Sequence, residues 1–242
     1  MFTAHGPTLR ELAVQALSST QRGYDLLAPK FDLTPFRTPD PVLDSVARAL
    51  RPLGPFAAGL DICCGTGAGT GMLRELCTDR VTGVDFSAGM LAAARAVTAT
   101  SGPPAVSWVR ADARSLPFEG DFDLAVSFGA FGHFLPEERP LLFAGAHAAL
   151  RPGGLFAFPV LAPPGPRTRL YWALLAFDLV MRVRNALWRP QFVMYYRTFP
   201  LGGVLADLQR AGFEVRLIPL AGLGRLPGGA PRARLVIARR RD

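Results

Sequence analysis

The residues most able to do chemistry stand together in GLDICCGTGAGTG, residues 59–71: an acid, Asp61, two adjacent cysteines, Cys63 and Cys64, and a run of alternating glycines. Several chemistries compete for such a stretch. Zinc would need Cys or His pairs spaced as in CxxC; adjacent cysteines with the next at Cys77 do not supply that, so no metal is expected. Three cysteines, two of them neighbours, make a poor disulfide framework and read as small buried apolar side chains. A phosphate loop needs GxxxxGK[ST], but five places after Gly65 stands Thr70, with no lysine following. The dinucleotide fingerprint GxGxxG or GxGxxA fails as well, because its third small residue falls on Thr70 or Met72. What remains is an acid followed by Gly65-x-Gly67. That is bare backbone that can turn tightly and lie against a nucleotide-like ligand, with a helix N-terminus behind it.

A loop of this kind must be held at the carboxyl end of a strand. Seven apolar stretches are expected as strands: 59–63, 80–85, 105–110, 122–128, 155–160, 214–220 and 232–238. Helices are expected over 68–78, 87–99, 137–150 and 201–211. The alternation predicts an α/β fold, mostly parallel, with helices on both faces; the short connection before the last stretch predicts one antiparallel edge strand. Ahead of it, 7–19 and 40–54 have helical spacing, with Asp40 as N-cap, and the proline-rich stretch between them reads as loop.

The chain has 242 residues, half of them apolar, and a formal charge of +8. Arginine supplies nearly all the positive charge, and Lys30 is the only lysine. The arginines are scattered except for Arg239, Arg240 and Arg241, which read as a solvated end rather than a nucleic-acid patch. The opening MFTAHGPTLRELAVQ has no leader pattern, and the apolar run LYWALLAF at 170–177 stops at Asp178. A cytoplasmic protein is expected.

In Leu60-Asp61-Ile62-Cys63-Cys64-Gly65-Thr66-Gly67 the chain resembles the class I S-adenosylmethionine-dependent methyltransferases, whose first motif is often written LDxGxGTG. Cys63 replaces the family's first glycine, a change that is tolerable if Cys63 keeps ordinary backbone angles. VTGVDFSAGMLAAAR (81–95), VRADARSLPF (109–118), FDLAVSFGAFGHF (122–134) and ALRPGGLFAF (149–158) resemble the later motifs, in order. The resemblance implies a Rossmann-like sheet in one methyltransferase domain over 1–242. Its parts are an N-terminal helical lid (1–58), a cofactor-binding half (59–160), a substrate-lid insertion (161–200) and the rest of the sheet (201–242). The cofactor implied is S-adenosyl-L-methionine. Asp61, Cys63, Gly65 and Gly67 form its cradle, Asp85 accepts the ribose hydroxyls, and Phe86 and Met90 pack on the adenine. Asp112 and the N–H of Ala113 read the adenine edge, and Ser127 lies at the cofactor's end of the fourth strand. Tyr24 is implied as a lid residue, and Arg37 as a partner for the methionine carboxylate.

Methyl transfer from a sulfonium is an in-line displacement, so positioning dominates and a base is needed only when the acceptor must lose a proton. His133, after the fourth strand, is the candidate base; capping a helix or packing on Phe131 and Phe134 is the competing role. His5 and His147 read as structural or exposed. No [DNS]PP[YFW] signature or Pro-Cys pair follows the fourth strand, which disfavours nucleic acid and favours a small-molecule acceptor. Drawn as a helix, 167–189 puts Arg167, Asp178, Arg182, Asn185 and Arg189 on one stripe and leaves most of the remaining surface apolar. Such a helix is buried, paired in a dimer, or turned toward a greasy substrate or a membrane surface. A pocket drawn from Phe128, Phe131, Trp172 and Tyr195 would take an apolar or aromatic acceptor such as a quinone or polyketide. The alternatives are a Rossmann-type NAD(P)-binding oxidoreductase and a methyltransferase-like binding protein without turnover.

Overall fold

Each element begins where local chemistry allows. In this computed structural model, which describes residues 6–98, 102–195 and 200–241, Thr8 accepts the N–H of Glu11 while Glu11 reaches back to the N–H of Thr8. This reciprocal cap starts α1 (Leu9–Leu17). His5 lies outside the described residues. Ser19 caps α2 (Thr20–Leu27), which continues as a 3₁₀ turn over Ala28–Leu33. The expected loop is therefore largely helical. Pro29 does not break it, because it occupies the first turn of the 3₁₀ segment, where no N–H is needed. α3 is Asp40–Leu50, capped at Pro39 with Asp40 already helical, so it is entered one place earlier than expected.

The sheet contains β1 (Phe56–Ile62), β2 (Cys77–Asp85), β3 (Ala105–Arg110), β4 (Phe122–Val126), β5 (Leu150–Leu161), β6 (Phe213–Pro219) and β7 (Ala233–Arg240) in the order β3-β2-β1-β4-β5-β7-β6. β1 to β5 pair in parallel, and β7 runs antiparallel to both neighbours. The antiparallel strand stands one place in from that end of the sheet, and β6 forms the edge. The helices between are α4 (Ala68–Arg74), α5 (Ala88–Val97), α6 (Arg139–Ala149), α7 (Arg169–Leu187) and α8 (Leu201–Arg210). α4 is shorter than expected because the chain tightens at Glu75 and Leu76 to bring Cys77 beside Phe56.

One face of the sheet packs Leu124, Val126 and Leu235 against Leu43, Val46 and Leu50 of α3 and Leu73 of α4. The other packs Ile62, Phe156 and Phe158 against Phe143 of α6 and Leu208 of α8. α3 is thus a layer of the core, and only the segment before it lies over the strand ends. The topology reverses between β1 and β4, which opens a crevice at their carboxyl ends.

One tight spot links the sheet to that crevice. A Cβ on Gly83 in β2 would meet Trp108 of β3 at 2.5 Å. Strand propensity alone would favour a β-branched residue there, yet Gly83→Val is expected to cost about 1–3 kcal/mol by overpacking. Urea unfolding, with Trp108 emission as a second readout, checks this.

Candidate active site

The loop after β1 is built from backbone. Cys64 donates its N–H to the carbonyl of Val84 at 2.9 Å, carrying the β1–β2 pairing past the end of β1. Asp85, at the end of β2, accepts the N–H of Gly65 on Oδ2 and that of Ser87 on Oδ1, each at 2.9 Å. The turn needs three left-handed residues: Cys63 at φ 59°, Gly65 at 54° and Gly67 at 92°. Ordinary angles at Cys63 are therefore corrected. It is the one non-glycine residue with positive φ among those described, so the departure from glycine is strained. The two glycines differ in purpose. A Cβ on Gly65 would meet only Phe31, at 4.0 Å, so its backbone faces open space. A Cβ on Gly67 would strike Trp108 at 2.9 Å, so that residue is glycine for packing as well as for its turn.

Asp61 turns inward. It is buried, accepts the hydroxyl of Thr70 at 2.9 Å, and lies where a Cβ on Gly69 would sit, at 2.7 Å. It anchors the first turn of α4, and the direct ligand contact expected of it is corrected to a positioning role. Burial raises its pKa to about 7. Burial also raises that of Asp85, against the backbone N–H groups that favour its ionised form. The Cys63 thiol is pushed well up by burial and then by Asp85, Asp61 and Asp112, so three carboxylates bear on one loop. Asp112 itself is held low by hydrogen bonds from Arg114, whose guanidinium also meets Glu138.

The N-terminal segment closes over this end. Asp25 accepts Ser87 Oγ at 2.6 Å and the N–H of Gly89 at 2.9 Å, tying α2 to the start of α5. Asp32 accepts the hydroxyl of Thr66 at 2.6 Å. Arg37 meets Asp40 at 2.8 Å and Asp32 at 3.8 Å. Tyr24 and His133 come together with Tyr24 Oη 2.7 Å from Nε2, and Nδ1 lies 2.7 Å from the carbonyl of Val193. A carbonyl only accepts, so Nδ1 carries the proton, Nε2 is the acceptor and the phenol donates to it. Burial lowers the pKa of His133, keeping the ring neutral.

Other expectations change. Ser127 donates to the carbonyl of Ile62 at 2.8 Å and is buried, so it joins β4 to β1 instead of facing a ligand. Met90 is wholly buried behind the α5 cap, while Phe86 is half-buried. Ala113 is buried against the core that holds Phe134. Phe128 packs beneath Gly69, and Phe131 stacks edge-on to Phe158 at 4.6 Å. Trp172 is 60% exposed on the outer face of α7, and Tyr195 is buried beside Met181 and Phe192 with its hydroxyl bonded to Asn185, so the two do not form one pocket wall. Asp25 and Asp32 were missed because their partners lie 34 to 64 residues away and no local pattern marks them; Thr66 stands in the quoted motif, but its bond to Asp32 was not legible there.

A methyltransferase-domain family profile matches residues 60–154. The chain is 32% identical over 165 residues to the 2-phytyl-1,4-naphtoquinone methyltransferase of Nostoc punctiforme, covering 64% of this chain and 71% of that enzyme. It is 31% identical over 138 residues to an uncharacterized methyltransferase of Synechocystis, covering 57% of this chain and 61% of that one. The chain belongs to the S-adenosylmethionine-dependent methyltransferases. An S-adenosylmethionine-dependent methyltransferase from Mesorhizobium loti has the same fold, with TM-score 0.56 at 29% identity over 82% of this chain and all of that one. Membership disfavours the oxidoreductase reading, in line with the missing third glycine.

Two predictions follow the loop's geometry. Cys63→Gly relieves a left-handed β-carbon and is expected to stabilise the fold by up to about 1 kcal/mol in urea unfolding; a loss would mean that thiol packing outweighs strain. Asp61 has a folded pKa of about 7, above its unfolded value of roughly 4. The native state therefore holds the extra proton in that window, and this group's contribution to stability falls as pH rises through it. Asp61→Asn is expected to remove that slope, measured as the difference between the two unfolding curves at pH 5 and pH 8.

Proposed function

We propose that this protein transfers the methyl group of S-adenosylmethionine to a small apolar or aromatic acceptor. One observation carries the reading: an open strip of backbone at Gly65, its N–H held by the strand-end carboxylate of Asp85 at 2.9 Å. Buried carboxylates carry a desolvation penalty that a cationic ligand offsets. The donor, when bound, supplies a methyl group on a positively charged sulfur that leaves as a neutral thioether.

The chain's own residues then have separable tasks. Asp85 has spent one lone pair of each oxygen on Gly65 and Ser87, and the remaining pairs would accept the ribose hydroxyls. Phe86 and Ala113 would wall the adenine, and Asp112, oriented by Arg114, would accept from its amino group. Arg37 already faces two acids and would reach a ligand carboxylate only by exchanging partners. Tyr24 and Phe31 would exclude water from above.

His133 is the proposed base for a hydroxyl acceptor. It is neutral, its proton is fixed on Nδ1 by Val193, and Nε2 receives the Tyr24 phenol. An acceptor hydroxyl taking the place of that phenol could pass its proton to Nε2. The aromatic surroundings, Phe131 against Phe158 and Tyr24 near Phe192, favour an apolar acceptor. The phytylated naphthoquinone in the Nostoc enzyme's name has that polarity. The outer face of α7 is a further contact surface, and the part of the substrate lid at 196–199 lies outside the described residues.

Titration calorimetry with S-adenosylmethionine tests the donor. Binding is expected in the wild-type protein, and Asp85→Ala is expected to weaken it by about 2–4 kcal/mol. Heat with NADH and none with the sulfonium would overturn the proposal. For the acceptor, a panel of reduced quinones and phenols beside hydrophilic hydroxy acids is expected to show turnover only in the first group. His133→Gln is expected to lower that turnover by roughly 10²–10³-fold with donor affinity unchanged.

A further inference from the structure

α7 is mounted with its apolar side out. At ~100° per residue, the part of its polar stripe that carries Asp178 and Asn185 faces the protein: both are buried together with Met181. Asn185 is held by the Phe192 backbone and the Tyr195 hydroxyl. The opposite face carries Trp172, Leu179, Val180, Val183 and Leu187, each at least half exposed, and Leu187 is 81% exposed. Trp188 follows at 53%. A contiguous apolar face of this kind is uncommon on a monomer and marks a contact surface. No helix among the described residues is long and apolar enough to cross a membrane.

Charge selects the partner. Residues 161–195 contain five arginines and a single acid, Asp178, which is buried. Arg167, Arg169, Arg182 and Arg189 are exposed around the apolar face, and Arg182 lies over the Tyr195 ring at 4.7 Å. A second copy of the chain would bring arginines against arginines, which penalises self-pairing. An anionic lipid surface answers both features: apolar side chains enter the acyl boundary, the tryptophans sit at the headgroup level, and the arginines meet phosphates. We propose that α7 is an interfacial helix that docks this protein on anionic membranes.

The docking also has a consequence for the site. α7 runs into the strap 191–195, whose Val193 carbonyl sets the His133 tautomer and whose Tyr195 donates its N–H to the carbonyl of Gly132 at 2.7 Å. A membrane on α7 would therefore lie against the element that borders the proposed acceptor pocket. The docking itself does not depend on the methyl-transfer reading.

The test is co-sedimentation of the full chain with vesicles of phosphatidylcholine alone or with 30% phosphatidylglycerol added, in low and high salt. Binding is expected only with the anionic lipid, weakened by salt, and reduced about tenfold or more by the double substitution Leu179→Ser/Val183→Ser. Both positions are solvent-exposed, so the variant should keep the wild-type urea midpoint. In wild type, Trp172 and Trp188 emission should shift to shorter wavelength on anionic vesicles. Equal binding to both vesicle types, or equal binding by the double variant, would overturn the proposal. So would a wild-type dimer in light scattering that the double substitution converts to monomer. Because no donor or acceptor is present, failure here leaves the methyl-transfer reading standing, and failure of that reading leaves this one.

Discussion

The Asp85 carboxylate is the joint on which the site depends. It closes the end of β2, takes the N–H of Gly65 from the loop after β1, and takes that of Ser87 from the start of α5. A strand end, a loop and the start of a helix thus meet on two of its four lone pairs. Because the group is almost wholly buried, the backbone donors must compensate what water would have supplied. Ser87 extends the joint outward: it caps α5 through the N–H of Met90 and donates to Asp25, which brings α2 down over the crevice. One carboxylate thus fixes the loop's left-handed turns and, through one further residue, the cover above them.

That arrangement separates the two acids that the sequence pattern treats alike. Asp61 and Asp85 both stand near the carboxyl ends of apolar strands, yet Asp61 is spent on Thr70 of α4 while Asp85 keeps acceptor capacity toward the open side. A buried carboxylate under a helix N-terminus is partly compensated by the helix's unpaired N–H groups. A carboxylate at a strand end beside open glycine backbone is available to a ligand. The strain at Cys63 belongs to the same turn, since the loop demands a left-handed residue wherever the chain leaves β1.

Much of this was legible in the chain. Strand-helix alternation from residue 59 on gave the sheet, and the order of motifs gave the crevice, because both rest on local patterns of apolar residues and glycine. What escaped was long-range. Asp25, Asp32 and Phe31 act only because α2 folds back over residues far along the chain, and the Tyr24–His133 contact joins positions 109 residues apart. The orientation of α7 was left open for a different reason. Periodicity correctly grouped Asp178 with Asn185 on one stripe, but periodicity does not say which side faces the protein. Ser127 and Met90 sit at the right positions along the chain, but their side chains are turned into the sheet and the core.

Hydrogen–deuterium exchange with and without S-adenosylhomocysteine tests the central claim most directly, because it reads the backbone that is said to cradle the donor. Protection is expected over residues 62–67 and 85–90, where Gly65 and Ser87 donate to Asp85, with no change in β6 or β7. Unchanged exchange in the first two segments, or protection confined to another part of the chain, would contradict the account.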